Sequence, residues 1–132
     1  MKLTHYRLYR LRFIPGPRVS MDYSEESAVI IEMRTYKTKP GMRSKFIETF
    51  LSKSVPAHAE IGMKILGPFL SVEDADTFFF MRGFPDAASR EPMKAQFYEG
   101  RLWKEELEHV LLPMLEKYDV TLVEDPQGLV KW

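Results

Sequence analysis

The chain has 132 residues, 45% hydrophobic and 29% charged, with 19 basic residues against 19 acidic ones. That length and apolar share suit one domain with its own core and argue against global disorder. The chain has no cysteine, which excludes disulfides, thiolate metal sites and a cysteine nucleophile, and without an apolar run of about 18 residues it offers no membrane-spanning helix.

The charge is unevenly spread. Residues 1–18 hold five basic groups (Lys2, Arg7, Arg10, Arg12, Arg18) and no acid, while residues 29–132 hold fourteen basic against sixteen acidic, a net of −2. A near-neutral body argues against nucleic acid as the partner. The Arg-rich start faintly resembles a mitochondrial presequence. It lacks a secretory h-region, and the expectation is a cytoplasmic protein with residues 1–28 as an appended arm. Met21, just ahead of the folded pattern, is an alternative start.

From Val29 the pattern sharpens. In VIIEMRTYKTKPG, Ile30, Glu32, Arg34 and Tyr36 alternate with Ile31, Met33 and Thr35, a strand period that ends at Pro40-Gly41. Pro40 suits an early helical position, because the N–H it lacks would have no partner there. Met42, Phe46, Ile47, Phe50, Leu51 and Val55 then recur at helical spacing. Pro56 should kink or end this helix, and Gly62 should stop it. Lys64–Leu70 reads as an irregular edge strand because of Gly67-Pro68. Thr77–Phe84, TFFFMRGF, is apolar on both faces and needs cover on both. Asp86 is a natural N-cap for the next helix, which Pro92 should bend or restart. A further helical stripe runs through Trp103, Leu107, Val110, Leu111, Met114 and Leu115, with a kink expected at Pro113. Asp119–Glu124 reads as the last strand. Residues 125–132 form a tail whose apolar end should dock.

This order predicts an α+β fold of the ferredoxin-like β-α-β-β-α-β kind over residues 29–124, with a four-stranded antiparallel sheet and both helices on one face. The bare rear face, rich in Phe and Ile, should be hidden by a second copy in a homodimer closed into a barrel.

The residues also carry a resemblance. Glu32-x-Arg34-x-Tyr36 before Pro40-Gly41, the Arg82-Gly83-Phe84 turn with Arg90 beyond it, and Phe97-Tyr98 followed by Trp103 resemble the NIPSNAP family, within the dimeric α+β barrel superfamily. The resemblance spans roughly residues 30–124. It implies fold and dimerisation. It implies no settled reaction: relatives in the wider superfamily include cofactor-independent oxygenases, haem-degrading enzymes, lactone isomerases and chlorite-decomposing haem enzymes.

The candidate site follows from the strand period. Glu32, Arg34 and Tyr36 share a face at about 6.5–7 Å spacing, and Arg82 joins them if its strand is the neighbour of the first. Two guanidiniums against one carboxylate leave positive charge that suits an anionic or enolate-like ligand, with Tyr36 donating a hydrogen bond to it. The competing reading is an ion-pair network that binds nothing. His58 is a candidate base, although a position near a helix C-terminus equally suits a capping or solvated imidazole. Arg90 and Tyr98 are placed at the pocket mouth. The histidines at 5, 58 and 109 make no metal pattern, so no metal and no cofactor are expected. The candidate catalytic set is therefore Arg34, Tyr36, Arg82, Glu32 and His58. The two functional expectations are a homodimeric small-molecule binder or cofactor-independent oxygenase- or isomerase-like enzyme, and a non-catalytic homodimeric interaction module. Whether the chain is an enzyme stays open.

Overall fold

The computed structural model describes residues 28–132; the expected N-terminal arm lies outside the described residues, apart from Ala28. Four strands, β1 (Val29–Thr38), β2 (Lys64–Leu70), β3 (Thr77–Phe84) and β4 (Leu115–Asp125), form one antiparallel sheet in the order β2-β3-β1-β4. Between β1 and β2 run α1 (Arg43–Thr49), a π-helical turn (Phe50–Ser54) and α2 (Val55–Ile61). Between β3 and β4 run α3 (Ala87–Tyr98), a second π-helical turn (Leu102–Leu107), α4 (Glu108–Leu111) and a 3-10 turn (Leu112–Met114). Both connections cover the same face of the sheet.

β1 sits at the centre because it is paired on both edges. Its register sets Glu32 opposite Arg82, Arg34 opposite Phe80 and Tyr36 opposite Phe78 on β3, and Glu32 opposite Leu122 and Tyr36 opposite Tyr118 on β4. Since side chains alternate along a strand, all of these project toward the helices. There they meet Phe46, Phe50, Met63, Phe97, Leu107, Leu111 and Met114, and together they make the core. Phe78, Phe80 and Phe84 are each at most 2% exposed.

Neither Pro56 nor Pro92 interrupts its helix. The first helical run passes through Pro56 and ends only at Gly62, whose φ of 109° is left-handed and lets its N–H and that of Met63 close on the His58 carbonyl. The π turn ahead of Pro56 widens the helix and carries the Val55 N–H back to the Phe50 carbonyl. α3 also passes through Pro92; Ala88, four residues before it, is exposed, so water can satisfy the carbonyl that loses its partner. Pro113 ends its helix instead of kinking it, and β4 begins at Leu115, four residues before the expected Asp119. The Lys39 N–H donates to the Met114 carbonyl at 2.8 Å and fixes that early entry beside β1. β2 carries the irregularity expected at Gly67-Pro68 as a register shift between Leu66 and Phe69. Leu51 and Val110, expected on the buried stripes, are exposed.

The expected closed barrel is not formed. The four strands make an open sheet with β2 and β4 as free edges, so the fold is α+β with helices on one face, and the barrel attached to the family resemblance is corrected by this topology. Closure needs more strands, tilted and staggered, than four can supply. At its Gly83 end the rear face is not bare either. The tail after β4 turns back on Asp125, whose carboxylate accepts the Leu129 and Val130 N–H groups at 2.9 and 3.0 Å. This lays the Trp132 indole over Gly83, where the missing side chain leaves room for it.

Candidate functional site

Glu32 is the hub. It is fully buried on the central strand, and its carboxylate collects four cations. Oε1 accepts from Arg34 Nε and Arg82 Nε, each at 2.8 Å. Oε2 accepts from Arg90 Nε at 2.9 Å and Lys94 Nζ at 3.0 Å. A carboxylate has about four acceptor positions, and all are taken. Burial pushes the Glu32 carboxyl up, but Arg82, Arg34 and Lys94 together outweigh it and hold the group well below the usual carboxylate range.

Each arginine then reaches further. Arg34 Nη1 donates to the Tyr36 hydroxyl at 2.7 Å. Arg82 Nη1 donates to His58 Nε2 and to the Tyr98 hydroxyl, both at 2.9 Å. Arg82 Nη2 lies 2.7 Å from Glu32 Oε1 yet has no aligned acceptor; Oε1 already lies along the Nε–H direction, so this is an ion contact without a hydrogen bond. The His58 Nδ1 atom lies 2.7 Å from the Ser54 carbonyl. A carbonyl only accepts, so Nδ1 carries the proton and Nε2 receives the arginine N–H. Burial first, then Arg82, pulls the imidazole down to about 4, so it stays neutral. Burial pushes the Tyr36 phenol up against the pull of Arg34, and burial pulls the Lys94 ammonium down against the pull of Glu32.

Beside this cluster, between sheet and helices, lies a cavity of about 380 Å³. Its polar end is made by Arg34, Tyr36, Arg82, Lys94 and Tyr98; its walls by Phe46, Phe50, Phe80, Phe97, Trp103 and Tyr118. Several of these rings pack edge-on or tilted, as in Phe50–Phe80 at 4.8 Å and Tyr98–Trp103 at 5.0 Å, so the walls are packed and largely apolar.

All five sequence-predicted residues, Glu32, Arg34, Tyr36, Arg82 and His58, thus meet in one place. His58 is neither a helix cap facing solvent nor a free base: it is 2% exposed, and both ring nitrogens are engaged. Arg90 and Tyr98 join the cluster, and Lys94, which the sequence reading passed over, joins with them. The signal for Lys94 was its spacing: Arg90, Lys94 and Tyr98 stand four apart and share one helix face. Among the described residues no group of three His, Cys, Asp or Glu side chains is placed to hold a metal, and no helix is long and apolar enough to cross a membrane. Among the described residues the one histidine on the cavity has its Nε2 facing Arg82, so it offers no axial nitrogen to a haem.

Sheet, helices and cavity together define an α+β domain with a ferredoxin-like strand order and a positively charged pocket under its helices. The chain belongs to the NIPSNAP family, whose profile matches residues 31–122. Among solved structures it is similar to an uncharacterised NIPSNAP-like domain protein from Burkholderia xenovorans, at 17% identity and a TM-score of 0.68 over 80% of this chain and 90% of that one. A NIPSNAP family protein from Agrobacterium tumefaciens is similar at 15% identity and a TM-score of 0.66 over 77% and 92%. A second Burkholderia xenovorans NIPSNAP domain protein is similar at 16% identity and a TM-score of 0.65 over 77% and 98%. At these identities the likeness is one of fold. No curated protein matches the chain.

Proposed function

We propose that this NIPSNAP chain binds a small anionic or enolisable compound in the cavity under its helices and stabilises negative charge on one of its oxygens. The observation that carries the reading is the imbalance at the polar end: four cations surround one saturated carboxylate, beside a cavity large enough for a ligand. Arg90 shares its charge with Glu91 at the rim, but Arg34, Arg82 and Lys94 still leave a surplus. Arg34 and Arg82 hold the ligand's charge, Tyr36 orients it through its O–H, and Glu32 and His58 position the two arginines.

Neither Glu32 nor His58 is available as a base, because every acceptor position on both is occupied. An oxygenase-like activity without a cofactor would therefore act on a compound that arrives already deprotonated, and proton-shuttling isomerisation is disfavoured. The alternative, an interaction module with no ligand, calls for arginines fully paired inside a filled core; the aligned partner missing at Arg82 Nη2 and the open volume weigh against it. A cytoplasmic homodimer belongs to the same reading. Its support is the edge strand β2, which keeps Phe69 and Leu70 about half exposed.

Thermal-shift screening against small aromatic acids and lactones tests the proposal. A ligand at a hundred times its dissociation constant stabilises by about 2.7 kcal/mol, and Arg34→Ala should abolish the shift. An absence of any shift, or a shift unchanged in Arg34→Ala, would overturn it.

A further inference from the structure

The polar end of the cavity is made of donors. The Tyr36 and Tyr98 oxygens each already accept an arginine N–H, so what each has left to offer is its O–H, and among the described residues neither proton has an acceptor. Arg82 Nη2 likewise has no hydrogen-bond partner among the described residues. The Ser54 hydroxyl on the lining can both donate and accept, but at the arginine–tyrosine cluster the Glu32 oxygens, His58 Nε2 and the Ser54 carbonyl are all in use. A ligand group seated there must accept and not donate, which an alcohol, amine or amide N–H does not satisfy. The other end is hydrocarbon: Phe46, Phe50, Phe80 and Trp103 line it. A second charged or hydroxylated group placed against them would be buried without a partner.

We infer that the ligand is a monocarboxylate with an apolar, aromatic or branched body. Its size is limited by the volume: 380 Å³ lies near the lower end of the roughly 300–1,000 Å³ of small-molecule pockets, so the body is small. The carboxylate lies between the two phenol O–H groups and the Arg34 guanidinium, and the body lies on the phenylalanine wall. Phosphates, sugar acids and polycarboxylates are rejected by that wall. This inference rests on the reading of the cavity as an anion site and narrows it to one chemical class.

Calorimetric titration of the full-length protein with 3-phenylpropionate, 3-phenylpropanamide, citrate and inorganic phosphate tests it. The acid should bind at least about tenfold more tightly than the amide, and citrate and phosphate should not compete with it. Tyr36→Phe, which keeps the ring and removes only the O–H, should weaken the acid about tenfold and leave the amide nearly unchanged. An amide bound as tightly as the acid, or an acid indifferent to Tyr36→Phe, would overturn the carboxylate assignment. Citrate or phosphate displacing the acid would overturn the apolar body. A lactone bound in an Arg34-dependent way while no monocarboxylate binds would sink this inference and leave the broader anion site standing. Binding by none of these compounds would sink both.

Discussion

Replacing Glu32 by glutamine leaves the shape of the buried hub and removes its charge. The glutamine amide keeps one acceptor oxygen and turns the other position into an N–H₂ donor. Two of the four cations then face a donor at hydrogen-bonding distance. Arg90 and Lys94 stand near the rim, with side chains 14% and 20% exposed, and can swing toward water. Arg34 and Arg82, with side chains 7% and 2% exposed, cannot. Removing one partner of a buried ion pair costs about 3–5 kcal/mol, because the surviving charge stays buried uncompensated. Glu32→Gln should therefore lose about 4 kcal/mol, a large share of the roughly 5–15 kcal/mol that holds a domain folded, and should lower the melting temperature by about 15 °C. Urea unfolding followed by tryptophan fluorescence measures it, with Arg101→Ala as the comparison. Arg101 pairs with Glu105 on the surface, both largely exposed, and its loss should cost under about 0.5 kcal/mol. A Glu32→Gln midpoint within about 1 kcal/mol of the parent, with m unchanged, would mean that the carboxylate does not hold these arginines.

Two further outcomes follow from particular residues. His58 has a folded-state pKa of about 4 against 6.5 unfolded, so the unfolded chain binds the proton first and stability falls as pH drops through that window. Between about pH 7.5 and about pH 4.5 this contributes a loss of about 2.5 kcal/mol; urea midpoints across that range should show it, and His58→Gln should flatten the slope. Gly83→Ala would set a Cβ 2.5 Å from the Trp132 indole, so the tail should lift away at a cost of about 1 kcal/mol. Red-shifted tryptophan emission with the Trp103 contribution unchanged reads it, and an unaltered spectrum would contradict the packing described.

The sheet was legible because β1 alternates cleanly and β2 and β3 are short apolar runs that end at turn residues, so both run over the residues that the pattern names. The start of β4 was hidden by the helical-looking stripe through Met114 and Leu115, since Leu115 serves a strand face as well as a helix face. In the site, the period of two was enough to bring Glu32, Arg34 and Tyr36 together, and β3's place beside β1 added Arg82. Lys94 escaped notice because a lysine on a polar helix reads as solvated until a buried carboxylate faces it. The rear face was misjudged because Gly83 looked like part of a turn, whereas it is the floor on which Trp132 rests.

The π turn at Phe50–Ser54 has a rotational consequence. Phe46, Phe50, Ser54 and His58 are all buried, yet they stand four apart, and in an α-helix each step of four drifts by about 40°. Over the twelve residues from Phe46 to His58 the drift would be about 120°, enough to turn the imidazole out of the core. One extra residue absorbed in the wide turn takes back about 100° of it and returns His58 to the line of Phe46, facing Arg82. The bulge thus acts as a phase correction: the same twelve residues wound as plain α-helix would leave the histidine about 120° away from the arginine.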